Sequence, residues 1–118
     1  MKTTDATGNT LSWNDFMKVE MRVGTIIKAE VFKEAKKPAY KVVVDFGEYG
    51  QRKSSAQITT LYTPEQLIGK QVIAVINFPP KQIATFMSEC LILGSVGDEN
   101  EITLLTTERP VNNGLRIG

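Results

Sequence analysis

The 118 residues suffice for one domain with a single core, since 42% of them are hydrophobic and 23% are charged. The chain has no histidine and one cysteine, which excludes a Ser-His-Asp or Cys-His catalytic site and nearly excludes a zinc or iron–sulfur site. Residues 1–53 contain ten basic and seven acidic residues, whereas residues 54–118 contain four basic and six acidic residues. The net charge of +1 therefore permits a local basic patch, but it is lower than that of a dedicated nucleic-acid-binding protein.

No Gly-rich phosphate loop follows any predicted strand, so we expect a binding protein rather than an enzyme, with no catalytic residue, cofactor or metal. The opening residues MKTTDATGNT lack the apolar segment of a signal peptide, and no apolar run approaches the length of a membrane span. Cys90 can form no intrachain disulfide and is expected to be a small core residue. These features predict a cytoplasmic protein without membrane insertion.

A short helix is predicted after a flexible tail at residues 1–11. Ser12 is a good N-cap for this helix, and Trp13, Phe16 and Met17 share one face of it. That apolar face has two interpretations, which the residues leave open. It either closes one end of the domain or packs against a second subunit.

The first predicted strand covers residues 22–31 and alternates in hydrophobicity. One face, predicted to be buried, carries Val23, Thr25, Ile27, Ala29 and Val31. The opposite face carries Arg22, Ile26, Lys28 and Glu30. The glycine at position 24 predicts a bulge or a sharp coil of the strand.

Further strands and a second short helix follow in chain order. The strands are predicted over 40–46, 52–58, 72–77, 88–93 and 102–105, and the helix over 63–69. Thr63 as N-cap, Pro64 at the first helical position and Gly69 as a stop give the clearest local signal in the chain. A basic loop over 32–39 joins the first two strands.

This order of elements predicts an all-β fold, a five-stranded Greek-key barrel of the OB type. The short helix would lie between strands three and four, with an N-terminal helix and a C-terminal extension added. An open sandwich or an SH3-like barrel is the main alternative. Residues 12–118 are expected to form this single domain.

An OB barrel binds ligands on strands two and three and in the flanking loops, which here are a polar, basic face and the loop 78–88. Adjacent prolines stiffen that loop, so its apolar side chains stay exposed instead of collapsing. The residues predicted to bind polypeptide are Phe78, Pro79, Pro80, Ile83, Phe86, Met87 and Glu89. The residues predicted to bind tRNA are Lys36, Lys37, Lys41, Arg52, Lys53, Ser55, Asn77, Lys81 and Ser88. The alternative is that the lysines only solvate the barrel and that both phenylalanines belong to the core.

Three segments carry a resemblance to a known family. KVEMRVGTIIKAEVF, KSSAQITTLYTPEQLIGKQVIAVINFPPKQIATFMSECLILG and LLTTERPVNNG resemble the CsaA family of export-related chaperones. That family is part of the group of tRNA-binding OB domains found at the C-terminus of some methionyl-tRNA synthetases. The resemblance covers residues 12–118.

The resemblance implies an ATP-independent chaperone that binds unfolded or pre-secretory polypeptides, passes them to the export machinery and acts as a homodimer. It also implies an alternative, a structure-selective tRNA-binding protein. The dimer residues that it implies are Trp13, Phe16, Met17, Ile102, Leu104, Pro110 and Leu115.

The tRNA-binding group has a motif similar to NLxPRKxRGxxSxGM, and the corresponding segment here is NFPPKQIATFMSECL. Asn77, Pro80, Lys81 and Ser88 match this motif in kind. The differences fall at Gln82, Ala84, Thr85, Cys90 and Leu91. Because basic and flexible positions have become largely apolar, the resemblance favours polypeptide over nucleic acid as the ligand.

Overall fold

The structure, a computed structural model, describes residues 8–118. Its helices are α1 (Trp13–Lys18) and α2 (Pro64–Leu67), with 3-10 turns at Gly47–Tyr49 and Asp98–Asn100. Its strands are β1 (Met21–Val31), β2 (Tyr40–Asp45), β3 (Gln51–Ala56), β4 (Gln71–Val75), β5 (Lys81–Ile83), β6 (Phe86–Ser88), β7 (Leu91–Ile92), β8 (Gly94–Val96) and β9 (Ile102–Leu104). Of the predicted tail, residues 1–7 lie outside the described residues, and residues 8–11 are exposed.

Five antiparallel strands form a nearly closed barrel in the order β3-β2-β1-β4-β7. Strand β2 alternates as an OB strand should, because Tyr40, Val42 and Val44 are buried in the barrel and the residues between them are not. Helix α2 lies between β3 and β4 in the chain, as predicted. The predicted all-β, five-stranded OB-type barrel is confirmed.

Helix α2 closes one end of the barrel with a single side chain. Leu67 is fully buried, and burial of a leucine stabilises the fold by about 1.5–3 kcal/mol. The helix has only four residues, and its start is fixed by a capping box in which Thr63 and Gln66 each bond the other's backbone N–H. The predicted N-cap and the proline at the first turn are therefore both present.

Strand β1 departs from the predicted alternation. Its register against β2 shifts between Ile26 and Lys28, so Ile27 is an extra residue in the strand. As a result Ile26 is fully buried, whereas Ile27 is 42% exposed and Val31 is 57% exposed. The prediction that Ile27 and Val31 are buried and that Ile26 faces outward is wrong. Ile26 lies on the core face before the bulge, and Ala29 packs against the core after it. Val31 is exposed at the end of the strand.

Of the two predictions for Gly24, a bulge or a sharp coil of the strand, the bulge is wrong, because β1 pairs with β4 in regular register from Met21 to Thr25. Gly24 is buried. A Cβ at this position would meet Val44 Cγ1 at 2.5 Å and the Phe46 ring at 2.7 Å. Glycine is needed here for close packing rather than for an irregular backbone.

The C-terminal segment returns along the barrel and binds β1. Val23 N donates to Leu115 O at 3.0 Å, Gly114 N donates to Val23 O at 2.7 Å, and Ile117 N donates to Met21 O at 2.9 Å. Helix α1 is adjacent to this segment, since Arg116 Nη2 donates to the Met17 carbonyl at 3.5 Å. The N-terminal helix and the C-terminal extension thus lie on the same side of the barrel.

Candidate functional site

The segment between β4 and β7 folds into a β-hairpin. Strands β5 and β6 pair with Lys81 opposite Ser88 and Ile83 opposite Phe86, and the turn places Ala84 at φ 53°. The sequence predicts a loop over 78–88 and one continuous strand over 88–93. The structure instead forms the hairpin and begins β7 at Leu91, so this part of the prediction is wrong.

One backbone bond and two side-chain bonds close the barrel between β3 and residues 88–89. Glu89 N donates to Lys53 O at 2.7 Å, and Lys53 N donates to Glu89 Oε1 at 2.9 Å. Ser55 N donates to Ser88 Oγ at 3.1 Å. These bonds fix the hairpin to β3 and use Glu89 and Ser88 in the closure of the barrel.

Cys90 follows Glu89 and is buried at this closure between β3 and residues 88–89, which is called the barrel seam below. Ser54 Oγ, itself buried, donates to Cys90 O at 3.0 Å. Burial raises the pKa of the Cys90 thiol from 9.0 to about 12. The thiol is therefore protonated and unreactive at neutral pH, as expected of a core cysteine.

A groove, called here the basic groove, runs between the β1–β2 loop, the end of β3 and the β5–β6 hairpin. It has a volume of about 370 Å³. Its lining residues are Glu34, Ala35, Lys36, Lys37, Ala39, Ser55, Gln57, Lys81, Gln82, Ile83 and Ala84. Three lysines against one glutamate give it an excess of positive charge, which suits an anionic ligand.

A second groove, called here the apolar groove, lies at the base of the hairpin and has a volume of about 230 Å³. Its lining residues are Phe78, Pro79, Lys81, Ser88, Glu89, Cys90 and Leu91. Phe78 is 55% exposed and Leu91 is 49% exposed, so two large apolar side chains offer surface to a ligand.

An aromatic pair joins the two sides of the basic groove. The Phe32 and Phe86 rings lie 5.4 Å apart at 61°, an edge-to-face contact. The ammonium of Lys41 lies 4.9 Å from the Phe32 centroid and 5.6 Å from that of Phe86, and the ammonium of Lys53 lies 5.3 Å from the Phe86 centroid. These four residues are called the aromatic cluster below.

The residues predicted to bind tRNA are thus divided among several places. The basic groove collects Lys36, Lys37, Ser55 and Lys81, and the aromatic cluster contains Lys41 and Lys53. Arg52 donates to the Ile76 carbonyl at 3.0 Å. Asn77 accepts from Glu20 N at 3.0 Å and donates to Lys18 O at 2.6 Å, so it ties α1 to the end of β4.

The residues predicted to bind polypeptide are also divided. Phe78, Pro79 and Glu89 line the apolar groove, whereas Ile83 lines the basic groove and Phe86 belongs to the aromatic cluster. Pro80 and Met87 are exposed. Leu91 lines the apolar groove but was not predicted as a site residue. It directly follows Cys90, which was expected to be buried, so the alternation of a strand could have indicated that Leu91 is exposed.

The residues predicted at a dimer interface divide by exposure. Trp13 is 83% exposed, Met17 54% and Leu115 49%; Pro110 is also exposed, and Phe16 is partly buried. Ile102 and Leu104 are partly buried and pack against the core. The exposed members of this set therefore lie on α1 and on the C-terminal segment, which are adjacent.

Residues 21–116 match a family model described as a putative tRNA binding domain. The chain belongs to this family. Among solved structures, it is 47% identical to the chaperone CsaA of Bacillus anthracis, with a TM-score of 0.89, covering 92% of this chain and 99% of that one. It is 46% identical to the CsaA chaperone protein of Picrophilus torridus, with a TM-score of 0.86, covering 92% of this chain and all of that one. The predicted resemblance to CsaA proteins and tRNA-binding domains is confirmed.

The curated relatives are much longer proteins. The methionine–tRNA ligase of Methanocella arvoryzae is 39% identical over 104 residues, which are 88% of this chain and 15% of that enzyme. This chain therefore spans about 15% of such relatives. Over residues 8–118, no helix has the length and apolarity needed to cross a membrane.

Proposed function

We propose that this protein is a chaperone that binds unfolded polypeptides through the apolar groove, acts without ATP, and assists protein export from the cytoplasm. The observation that carries the proposal is the exposure of Phe78 at 55% beside a stiff Pro79-Pro80 segment. Two fixed proline φ angles keep the phenylalanine from folding onto the barrel. The similarity to CsaA chaperones supports the same function.

The chemistry of the apolar groove suits a short apolar stretch of polypeptide. Phe78 and Leu91 offer apolar surface, while Lys81 and Ser88 line the same groove with polar groups. Apolar surface supplies affinity that tolerates many sequences, because the hydrophobic effect is not directional. A site of this kind binds many unfolded chains weakly and releases them without a nucleotide.

We further propose that the chaperone is a homodimer joined through α1 and the C-terminal segment. Trp13, Met17 and Leu115 are exposed apolar residues, and α1 meets the C-terminal segment where Arg116 donates to the Met17 carbonyl. Exposed aromatic residues often anchor interfaces. Two copies would present two apolar grooves to one polypeptide, so avidity would raise the overall affinity.

The test is binding of a labelled, reduced and alkylated polypeptide that cannot fold, followed by fluorescence anisotropy. We expect saturable binding that an excess of unlabelled unfolded chain displaces and that the native form of the same chain does not. Absence of binding at tens of micromolar protein would contradict the chaperone function.

A second candidate function, tRNA binding, is favoured by the three lysines that line the basic groove. Lysine contacts to phosphate release counterions, so affinity falls with salt by roughly 0.9 log unit per contact for each log unit of salt. Three contacts predict a slope of roughly −2 to −3. Titration of tRNA at four salt concentrations measures this slope, and a flat dependence or no binding at physiological salt would remove this candidate.

A further inference from the structure

We propose that Lys41 is a positioning residue, which holds the two walls of the basic groove at a fixed separation and does not itself contact the ligand. This inference rests on the tRNA-binding function proposed above. It assigns Lys41 a role other than the phosphate contact predicted from the sequence.

The contacts of the Lys41 ammonium are made within the protein. It lies 4.9 Å from the Phe32 centroid and 5.6 Å from the Phe86 centroid, both within the range of a cation–π interaction. It also lies 3.9 Å from Glu34 Oε1. Its side chain is 26% exposed, whereas Lys36 and Lys37 are exposed residues.

These contacts join two segments that β-sheet pairing leaves separate. Phe32 and Glu34 belong to the loop after β1, which carries Lys36 and Lys37. Phe86 begins β6 and therefore fixes the hairpin that carries Lys81. Because Lys41 contacts both segments, it sets the distance between the lysines of one wall and the lysine of the other.

Lys41 also lies outside the lining of the basic groove. It lines a different hollow, on the outer face of the barrel beside Lys28, Val43 and Lys53. Lys36, Lys37 and Lys81 line the basic groove directly. Substitution of Lys41 and substitution of a lysine that lines the basic groove should therefore differ in their effect on the salt dependence of tRNA binding.

The experiment compares K41M with K36M, which serves as the matched control because each change removes one positive charge and keeps most of the side-chain length. K41M should weaken tRNA binding at every salt concentration by up to roughly tenfold, because the energy of the lost cation–π contacts sets the upper limit on what holding the walls contributes. It should keep the wild-type salt slope. K36M should make the slope shallower by roughly 0.9. K41R, which keeps the charge and can stack on the rings, should bind tRNA more tightly than K41M does.

The result that would overturn the inference is a shallower slope for K41M equal to that of K36M, or wild-type affinity for K41M. A second readout needs no RNA. Amide NMR spectra of K41M should show chemical-shift changes over 32–37 and 81–88. The changes in K36M should be confined to the loop that carries Lys36. The two variants should have equal thermal unfolding midpoints. If wild-type protein fails to bind tRNA, the tRNA-binding function falls. The NMR comparison then decides the positioning role alone, and unchanged hairpin amides in K41M would refute it.

Discussion

Phe78→Ala is the substitution that most directly tests the apolar groove. Phe78 lies outside every regular strand and is 55% exposed, so its truncation removes ligand surface while leaving the barrel core intact. A change at Phe86 would be less clean, because Phe86 contacts Phe32 and so holds the hairpin. The single change at Phe78 therefore separates loss of binding from loss of structure.

The expected magnitude follows from the exposed area of the side chain. A phenylalanine has roughly 200 Å² of surface, so 55% exposure leaves roughly 110 Å² for a ligand to cover. At about 25 cal/mol per Å², full coverage contributes about 2.7 kcal/mol. Because alanine retains part of this contact, we expect a loss of about 2 kcal/mol, or roughly a 30-fold increase in Kd.

The assay is anisotropy of the labelled unfolded polypeptide, with thermal unfolding measured on each variant. Ile68→Ala is the matched control, since Ile68 is 50% exposed and follows α2, outside the lining of the apolar groove. We expect the control to bind as the wild type does. If Phe78→Ala keeps the wild-type Kd, or if Ile68→Ala loses as much affinity, the apolar groove is not the polypeptide site.

Three further predictions concern assembly and stability. Trp13→Ala should weaken the proposed dimer at least tenfold, because an 83% exposed tryptophan is a typical interface anchor; light scattering across a dilution series measures this, and an unchanged mass would contradict the interface. Gly24→Ala should lower the free energy of unfolding by about 1–3 kcal/mol, because the new methyl group would lie 2.5 Å from Val44 Cγ1; urea unfolding checks it. Burial raises the pKa of Cys90 to about 12, so the folded thiol stays protonated while the unfolded thiol ionises above pH 9. Stability should therefore fall between pH 9 and 12, by about 1.4 kcal/mol at pH 10, and this part of the loss should be absent in Cys90→Ala.

Much of the fold could be predicted because local signals and burial agree in the central elements. Tyr40, Val42 and Val44 alternate without interruption, so their periodicity alone gives both the strand and its buried face. Thr63 and Pro64 specify the start of α2 through hydrogen bonds and backbone angles that lie within four residues. The order of these elements then leaves few barrel topologies.

The bulge in β1 could not be predicted, because it depends on a distant strand. Ile26 and Ile27 are identical in chemistry, and only the pairing with β2 determines which of them is buried. The hairpin was missed for a related reason. Its strands have three residues each. Its turn places Ala84 at a positive φ, a conformation that glycine and asparagine adopt more readily than alanine.

The candidate site was predicted in composition but not in arrangement. Sequence chemistry identified the lysines, yet Arg52 and Asn77 bond backbone carbonyls that lie far away in the chain. Glu89 was predicted to bind polypeptide, whereas its carboxylate accepts the N–H of Lys53 in the barrel seam. Tertiary packing determines these hydrogen-bond partners, so no local sequence pattern predicts them.

The division into two grooves gives physical meaning to the differences from the tRNA-binding motif. Gln82 and Ala84 line the basic groove at positions where the motif has basic residues, so they lower its positive charge. Cys90 and Leu91 line the apolar groove at the positions of the motif's Gly-Met pair. The first set weakens the attraction for phosphate, whereas the second replaces a glycine by the buried Cys90 and one apolar residue, methionine, by another, Leu91. Both sets of changes lie on the hairpin and the residues directly after it, within a barrel that keeps the architecture of the tRNA-binding family.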